Sequence, residues 1–270
     1  MLDFDTQVAI VTGAGRGIGE ATAMLLAEQG ASVVVTDVID ERETVGEAIE
    51  ENGGTALVRE LDVTDYEQAE AVVEDTLDEF GRVDVLVNNA GIFPTAGLDE
   101  MTPADWQQVI DINLTGTFNC TKAVLPVMRD QEYGRIVNVS SAAGGRVGWS
   151  GDLSHYAASK GGVVGFTRSA AIDLGPDGIT MNAIVPGMID TGAAERVSAD
   201  EEIEAAVNMT PVGRQGDPEE LASAITYLAS EPAAFITGAS LVVDGDHPGL
   251  SGRTGPAHRP LSELCNSDKT

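Results

Sequence analysis

Seven short aliphatic runs recur along the chain, at Val8 to Val11, Ser32 to Thr36, Thr55 to Leu61, Val83 to Val87, Arg135 to Val139, Thr180 to Val185 and Ser240 to Val243. Most lack the polar alternation of a half-exposed strand, so both faces must be covered. Between them lie segments with helical periodicity: Ala21 to Gln29, Glu41 to Glu51, Asp65 to Phe80, Pro103 to Met128, Tyr156 to Leu174 and Pro218 to Ala229. Strand, helix and strand in succession bring the chain back in the same direction. The pattern predicts an α/β fold, a single doubly wound domain with a seven-stranded parallel sheet flanked by helices. Asp65 and Thr102 stand where N-caps belong, and Gly30 and Gly53 follow helices as C-cap glycines do.

After the first run comes Thr12-Gly13-Ala14-Gly15-Arg16-Gly17-Ile18-Gly19, leading into a helix. Its G-x-x-x-G-x-G spacing departs from the G-x-G-x-x-G of the common Rossmann fingerprint. The physical use is the same: glycines allow a tight turn and let backbone N–H groups approach a pyrophosphate at the positive helix end. Asp37 ends the second run, about 20 residues on, where a carboxylate accepts hydrogen bonds from ribose hydroxyls.

Further along stand Asn88-Asn89-Ala90-Gly91 after the fourth run, Asn113 within a helix, then Ser141, Tyr156 and Lys160. In order and approximate spacing these residues resemble the short-chain dehydrogenase/reductase family. The match covers Thr6 to Gly245. It implies a Rossmann-type fold and an NAD(H)-dependent oxidoreductase acting on CH–OH groups. It also implies cofactor contacts from Gly13, Gly15, Arg16, Gly17, Ile18, Gly19, Asp37, Asp62, Val63, Asn89, Ala90, Gly91, Tyr156 and Lys160. The run from Pro186 and Gly187 through Ile189 to Thr191 matches the family segment that holds the nicotinamide amide. The same resemblance suggests a homotetramer, built partly through the helices Pro103 to Met128 and Tyr156 to Leu174.

Oxidising an alcohol by hydride transfer requires a group that takes the hydroxyl proton. Tyr156, with an ordinary pKa of about 10, needs help near neutrality. Lys160 lies four residues on, on the same helical face, and its charge together with that of oxidised nicotinamide is expected to favour the phenolate. Ser141 ends the fifth strand, with Ser140 as the competing choice; by resemblance Ser141 bonds the substrate oxygen and Asn113 supports a proton relay to Lys160. The stretch from Ser141 to Tyr156 is longer than is usual in the family and holds Gly144, Gly145, Arg146, Trp149, Asp152 and His155.

Residues 1–246 thus read as a dinucleotide-binding catalytic domain. Residues 247–270, rich in Gly, Pro, Ser and Arg, read as a flexible tail. A short acidic helix around Ala199 to Val207 is expected to cover the pocket. With the polar insert it tilts the substrate choice toward a sugar or polyol, the alternative being a 3-oxoacyl thioester. A non-catalytic dinucleotide-binding protein is a third reading, disfavoured because Tyr156 and Lys160 are both present.

The chain carries 44 acidic residues against 15 Lys and Arg, a formal charge of −29. Nucleic acid would be repelled. No apolar run is long enough for a membrane span, and no signal-like segment opens the chain, so a cytoplasmic location is expected. Cys120 and Cys265 lie outside any paired spacing, and three dispersed histidines suggest no metal site. Lysine is reduced to Lys122, Lys160 and Lys269 while carboxylates spread along the whole chain, a pattern that resembles proteins of halophilic archaea. Such a surface repels itself, and about 1 M salt shortens the Debye length to about 3 Å. Activity and melting temperature are therefore expected to rise with KCl into the molar range, and light scattering in high salt to give a tetramer. Full stability in dilute buffer would count against the salt-adapted reading.

Overall fold

The computed structural model of the chain describes residues 2–144, 152–192, 207–208 and 210–245. Seven strands form one parallel sheet: β1 (Val8–Thr12), β2 (Ser32–Asp37), β3 (Thr55–Glu60), β4 (Val85–Asn88), β5 (Gly134–Val139), β6 (Ile179–Pro186) and β7 (Ser240–Val243). Their order is β3-β2-β1-β4-β5-β6-β7. The order reverses between β1 and β4, which pair in parallel through Ala9 to Val11 and Val85 to Val87. In sheets of this kind ligands bind beyond the carboxyl ends of the strands at such a switch.

The helices are α1 (Gly17–Glu28), α2 (Glu41–Glu51), α3 (Tyr66–Phe80), α4 (Pro103–Ile110), α5 (Gly116–Gln131), α6 (Ser154–Leu174) and α7 (Pro218–Ala229). Successive strand residues point to opposite faces, and each face has its own core. Ala9, Val11, Val33, Val35, Val85 and Val87 join Leu26, Ile49 and Ile225 in one. Ile10, Val34, Leu86 and Ile136 join Val72, Val124 and Met128 in the other. This explains the unbroken apolar runs in the sequence: both faces are buried.

Asp65 caps α3 by accepting from the backbone of Glu67 and Gln68. Thr102 and Asp105 form a reciprocal capping box on α4. Most boundaries shift by one to three residues, and two departures from the sequence reading are larger. Helix α1 begins at Gly17 instead of Ala21, because the glycine loop runs straight into its first turn. The single helix expected from Pro103 to Met128 is broken by a π-helical stretch at Asp111–Thr115. Apolar periodicity continues through that register change, so the sequence does not reveal it. The expected acidic helix lies outside the described residues as far as position 206, as do residues 145–151 of the insert and the tail from 246 onward. Among the described residues, no helix is long and apolar enough to cross a membrane, and no cluster of His, Cys, Asp and Glu is arranged to hold a metal.

At the opposite end of the sheet from the switch crevice, Asp84 is fully buried. Its carboxylate accepts from the Val8 N–H at 2.9 Å and from Arg82 at 2.7 and 2.6 Å. This clasp joins the first residues of β1 to the turn that leads into β4. Removing it strands the buried Val8 N–H, while the half-exposed Arg82 returns to water, so Asp84→Ala is expected to cost about 2 kcal/mol. A denaturant midpoint unchanged from the parent would contradict that role.

Candidate active site

The chain leaves β1 and turns into α1 through the glycine loop. Gly13 and Gly17 have φ of 63° and 60°, the left-handed region that favours glycine. A Cβ on Gly13 would lie 2.8 Å from the Ala90 Cα, and one on Gly15 2.9 Å from the Ile39 side chain. One on Gly19 would collide with the Gly13 carbonyl. Arg16, the exposed N-cap of α1, makes no side-chain capping bond. The loop thus presents bare backbone at the positive end of a 12-residue helix, a cradle whose shape and polarity fit a pyrophosphate. Ile18 turns the other way and packs against the core.

Asp37 stands beside this loop. Its Oδ2 accepts the Gly15 N–H at 2.9 Å, and its Oδ1 accepts from Val38 at 2.7 Å and Ile39 at 3.3 Å. The strand end, the glycine turn and the carboxylate are therefore one hydrogen-bonded unit. Leu61 N–H donates to the Asp37 carbonyl, which draws in the turn after β3. There Asp62 accepts from the Thr64 N–H and hydroxyl, and Val63 is buried against Gly116 of α5.

Across the switch, the Thr12 hydroxyl accepts from the N–H groups of Asn89 and Ala90 at 3.0 and 3.1 Å. The Asn89 amide donates to the carbonyls of Thr12 and Gly13. The ends of β1 and β4 are stitched by side chains just where their ladder stops. A Cβ on Gly91 would come within 3.2 Å of Asn113 Oδ1 and 3.3 Å of Lys160 Nζ, so these two polar groups flank the same bare backbone.

Asn113 sits in the π-helical stretch, fully buried. Its amide accepts from the Ile92 N–H at 2.8 Å and donates to the Ile92 carbonyl at 2.9 Å and to the Ser159 hydroxyl at 3.1 Å. It ties the loop after β4 to α6. The residue after Ile92, Phe93, places its ring centroid 5.9 Å from that of Tyr156.

The two serines after β5 separate cleanly. Ser140 is buried and donates to the Lys160 carbonyl at 2.8 Å. Ser141, whose hydroxyl accepts the Ala143 N–H at 3.2 Å, lies close enough to Tyr156 to favour its phenolate. Tyr156 stays partly accessible, yet the packing around its hydroxyl is dense enough that burial pushes the phenol above its ordinary value; Ser141 pulls the other way. Lys160 is 4 % exposed. Its Nζ donates to the Val139 carbonyl at 2.8 Å and lies 5.9 Å from the Tyr156 ring centroid. Burial pulls the ammonium down to about 8. The sequence reading expects a depressed tyrosine. That expectation counts the charge of oxidised nicotinamide; in the protein's own residues burial of the phenol prevails instead.

The segment after β6 closes the ring of groups. The Pro186 carbonyl accepts from Ala142 and the Gly187 N–H donates to Val243. Ile189 bridges Gly216. The Thr191 side chain lies 3.2 Å from where a Gly17 Cβ would be, which brings this segment over the glycine loop. His155 is buried, with its Nδ1 accepting the Tyr156 N–H at 2.9 Å, so it supports the start of α6.

Sequence reasoning does not single out Thr12, Asn119 or Phe93 as site groups. Thr12 carries the stitch between β1 and β4, and Asn119 holds the carbonyls of Val63 and Thr64. A polar residue ending a buried strand is the available signal for Thr12; nothing local marks Asn119 or Phe93.

Comparison with known proteins bears on this arrangement. Residues 13–246 match the family model described as enoyl-(acyl carrier protein) reductase. A 3-oxoacyl-[acyl-carrier-protein] reductase of Synechocystis is 44 % identical over 250 residues, 91 % of this chain and 98 % of that protein. The cis-4-hydroxycyclohexanecarboxylate dehydrogenase of Sinomonas cyclohexanicum is 46 % identical over 245 residues, 90 % of this chain and 97 % of the relative. Among solved structures, levodione reductase superposes with a TM-score of 0.85 at 37 % identity, covering 90 % of this chain and 97 % of its own. With the parallel seven-stranded sheet and a match across nearly its whole length, the chain belongs to the short-chain dehydrogenase/reductase family of oxidoreductases.

Proposed function

We propose that this protein interconverts a secondary alcohol and its ketone using NAD(H), with Tyr156 carrying the proton. The observation behind this is Tyr156 set between Ser141 and a buried Lys160, whose Nζ is held by the Val139 carbonyl at the carboxyl end of β5 and lies 5.9 Å from the Tyr156 ring. The nicotinamide, when bound, supplies or accepts the hydride. Gly13, Gly15, Arg16, Gly17, Ile18 and Gly19 would form the pyrophosphate end, with Asp37, Asp62 and Val63 toward the adenosine. Asn89, Ala90, Gly91, Tyr156, Lys160, Pro186, Gly187, Ile189 and Thr191 would line the nicotinamide end.

For ketone reduction, Tyr156 gives its hydroxyl proton to the developing alkoxide while Ser141 donates a hydrogen bond to the same oxygen. For oxidation the proton runs back to the phenolate. Lys160, still largely charged at neutral pH, opposes the cost of that phenolate. Asn113 holds the Ile92 backbone and Ser159, keeping the loop and α6 in register.

Relatives named as 3-oxoacyl-[acyl-carrier-protein] reductases recur, from Vibrio cholerae and Escherichia coli among others. They support a 3-oxoacyl thioester substrate better than the sugar or polyol suggested by the sequence. The cyclohexanecarboxylate dehydrogenase supports an alicyclic alcohol by the same logic.

Tyr156→Phe is expected to lower turnover on the order of a thousandfold while leaving NADH binding, read by fluorescence titration, near the parent. A raised phenol pKa keeps the proton donor loaded through neutrality. Ketone reduction should therefore hold at neutral pH and fall on the alkaline side, and alcohol oxidation should rise with pH. In Lys160→Ala the oxidation limb should move to higher pH. Wild-type rates in Tyr156→Phe would end the proposal.

Cofactor choice turns on Asp37. A carboxylate there accepts both ribose hydroxyls of NAD but faces the 2′-phosphate of NADP. Arg42, the nearest cation along the chain, is committed to the Ile39 carbonyl and lies among Asp40, Glu43 and Glu60. Arg16 alone pulls toward the phosphate. NAD is expected to win by at least about tenfold in kcat/KM, and Asp37→Ala to narrow that ratio. NADPH outperforming NADH at every KCl concentration would show that Asp37 does not choose.

A further inference from the structure

We infer that Phe93 sets substrate choice at this site. Its ring forms an apolar wall beside the Tyr156 phenol and selects alcohols and ketones flanked by hydrocarbon over polyhydroxylated ones. The inference rests on the dehydrogenase reading above and names the substrate class of the same site.

Phe93 is held from both sides. Before it, the Asn113 amide grips both backbone groups of Ile92 at 2.8 and 2.9 Å. After it, the Ala96 N–H donates to the Asp152 carbonyl at 2.9 Å, tying the loop to the segment that enters α6. A ring anchored this way does not move aside freely for a bulky polar group.

Its placement beside the Tyr156 ring is specific. The Phe93 and Tyr156 centroids are 5.9 Å apart at an interplanar angle of 56°, within the range of favourable aromatic pairs. Aromatic residues make up only 4 % of the chain, and two of them meet at the proton-transferring group. Phe93 remains half-buried, leaving ring surface for a ligand to cover.

A substrate hydroxyl pressed against the Phe93 ring would lose water without gaining a partner, which costs binding energy. A methylene or ring carbon in the same place gains by leaving water. The polar insert that suggested a sugar falls largely on residues 145–151, outside the described residues.

The test measures NAD-dependent oxidation of cyclohexanol, 2-hexanol, glucose and xylitol by the parent, Phe93→Ala and Phe93→Leu, with thermal melts to establish folding. The parent is expected to favour the two hydrocarbon-flanked alcohols. Phe93→Ala should lower kcat/KM for cyclohexanol about tenfold, mainly through KM, and should change the polyols much less. Phe93→Leu should recover most of the loss, because apolar bulk returns. A natively folded Phe93→Ala with the parent's cyclohexanol-to-glucose ratio, or a parent that prefers glucose, overturns the inference and leaves the dehydrogenase reading standing. No turnover by the parent of any alcohol, of the matching ketones or of a 3-oxoacyl thioester with NADH overturns both.

Discussion

Parallel pairing of β1 with β4 sends the chain outward in opposite lateral directions from the middle of one sheet, and the groups that matter gather where those two strands stop. Past Val11 and Val87 the ladder ends, and side chains take over the pairing. The Thr12 hydroxyl and the Asn89 amide hold the two strand ends together, which leaves the glycine loop and the Asn89–Gly91 turn facing one crevice. At the opposite end the Asp84 clasp keeps the beginnings of both strands aligned. The hydrophobic cores above and below give these strands their stiffness, but the crevice owes its shape to a few polar atoms.

Much of this is legible in the residues, for reasons that differ by feature. Strands buried on both faces leave unbroken aliphatic runs, so Val8–Thr12 and Ser32–Asp37 announce themselves. Gly13 and Gly19 are legible because the backbone there tolerates no Cβ. The break at Asp111–Thr115 is hidden, since a π turn alters register without altering composition. Phe93 is hidden for another reason: its importance is a ring contact made 63 positions along the chain with Tyr156. In the chain's own residues the Tyr156 phenol is raised by burial, which is hidden too, because a helical face tells which residues are close and not how much protein surrounds a hydroxyl.

The protein also keeps two electrostatic regimes apart. Along the whole chain carboxylates outnumber cations nearly threefold, and several exposed arginines are paired: Arg59 with Asp75, Arg129 with Asp173 and Asp177, Arg214 with Glu220. Such exposed pairs contribute little each and weaken in salt. Lys160 lives under the opposite rules. Deep among protein atoms, screening barely reaches it, so added salt that reshapes the outer surface should leave the charge beside Tyr156 unaltered.

The π-helical stretch between α4 and α5 has a geometric consequence. Each residue of an α-helix advances about 100° around the axis, and the wider turn absorbs extra chain without ending the helix. The Thr102-capped α4 and the sheet-facing side of α5, with Cys120, Val124 and Met128, can therefore be aimed independently although one rod of backbone carries both. Asn113 sits in that phase slip. Were the helix regular, aiming α5 at the sheet and Asn113 at the Ile92 backbone would be competing demands; the slip decouples the packing of a helix from the aim of one of its side chains.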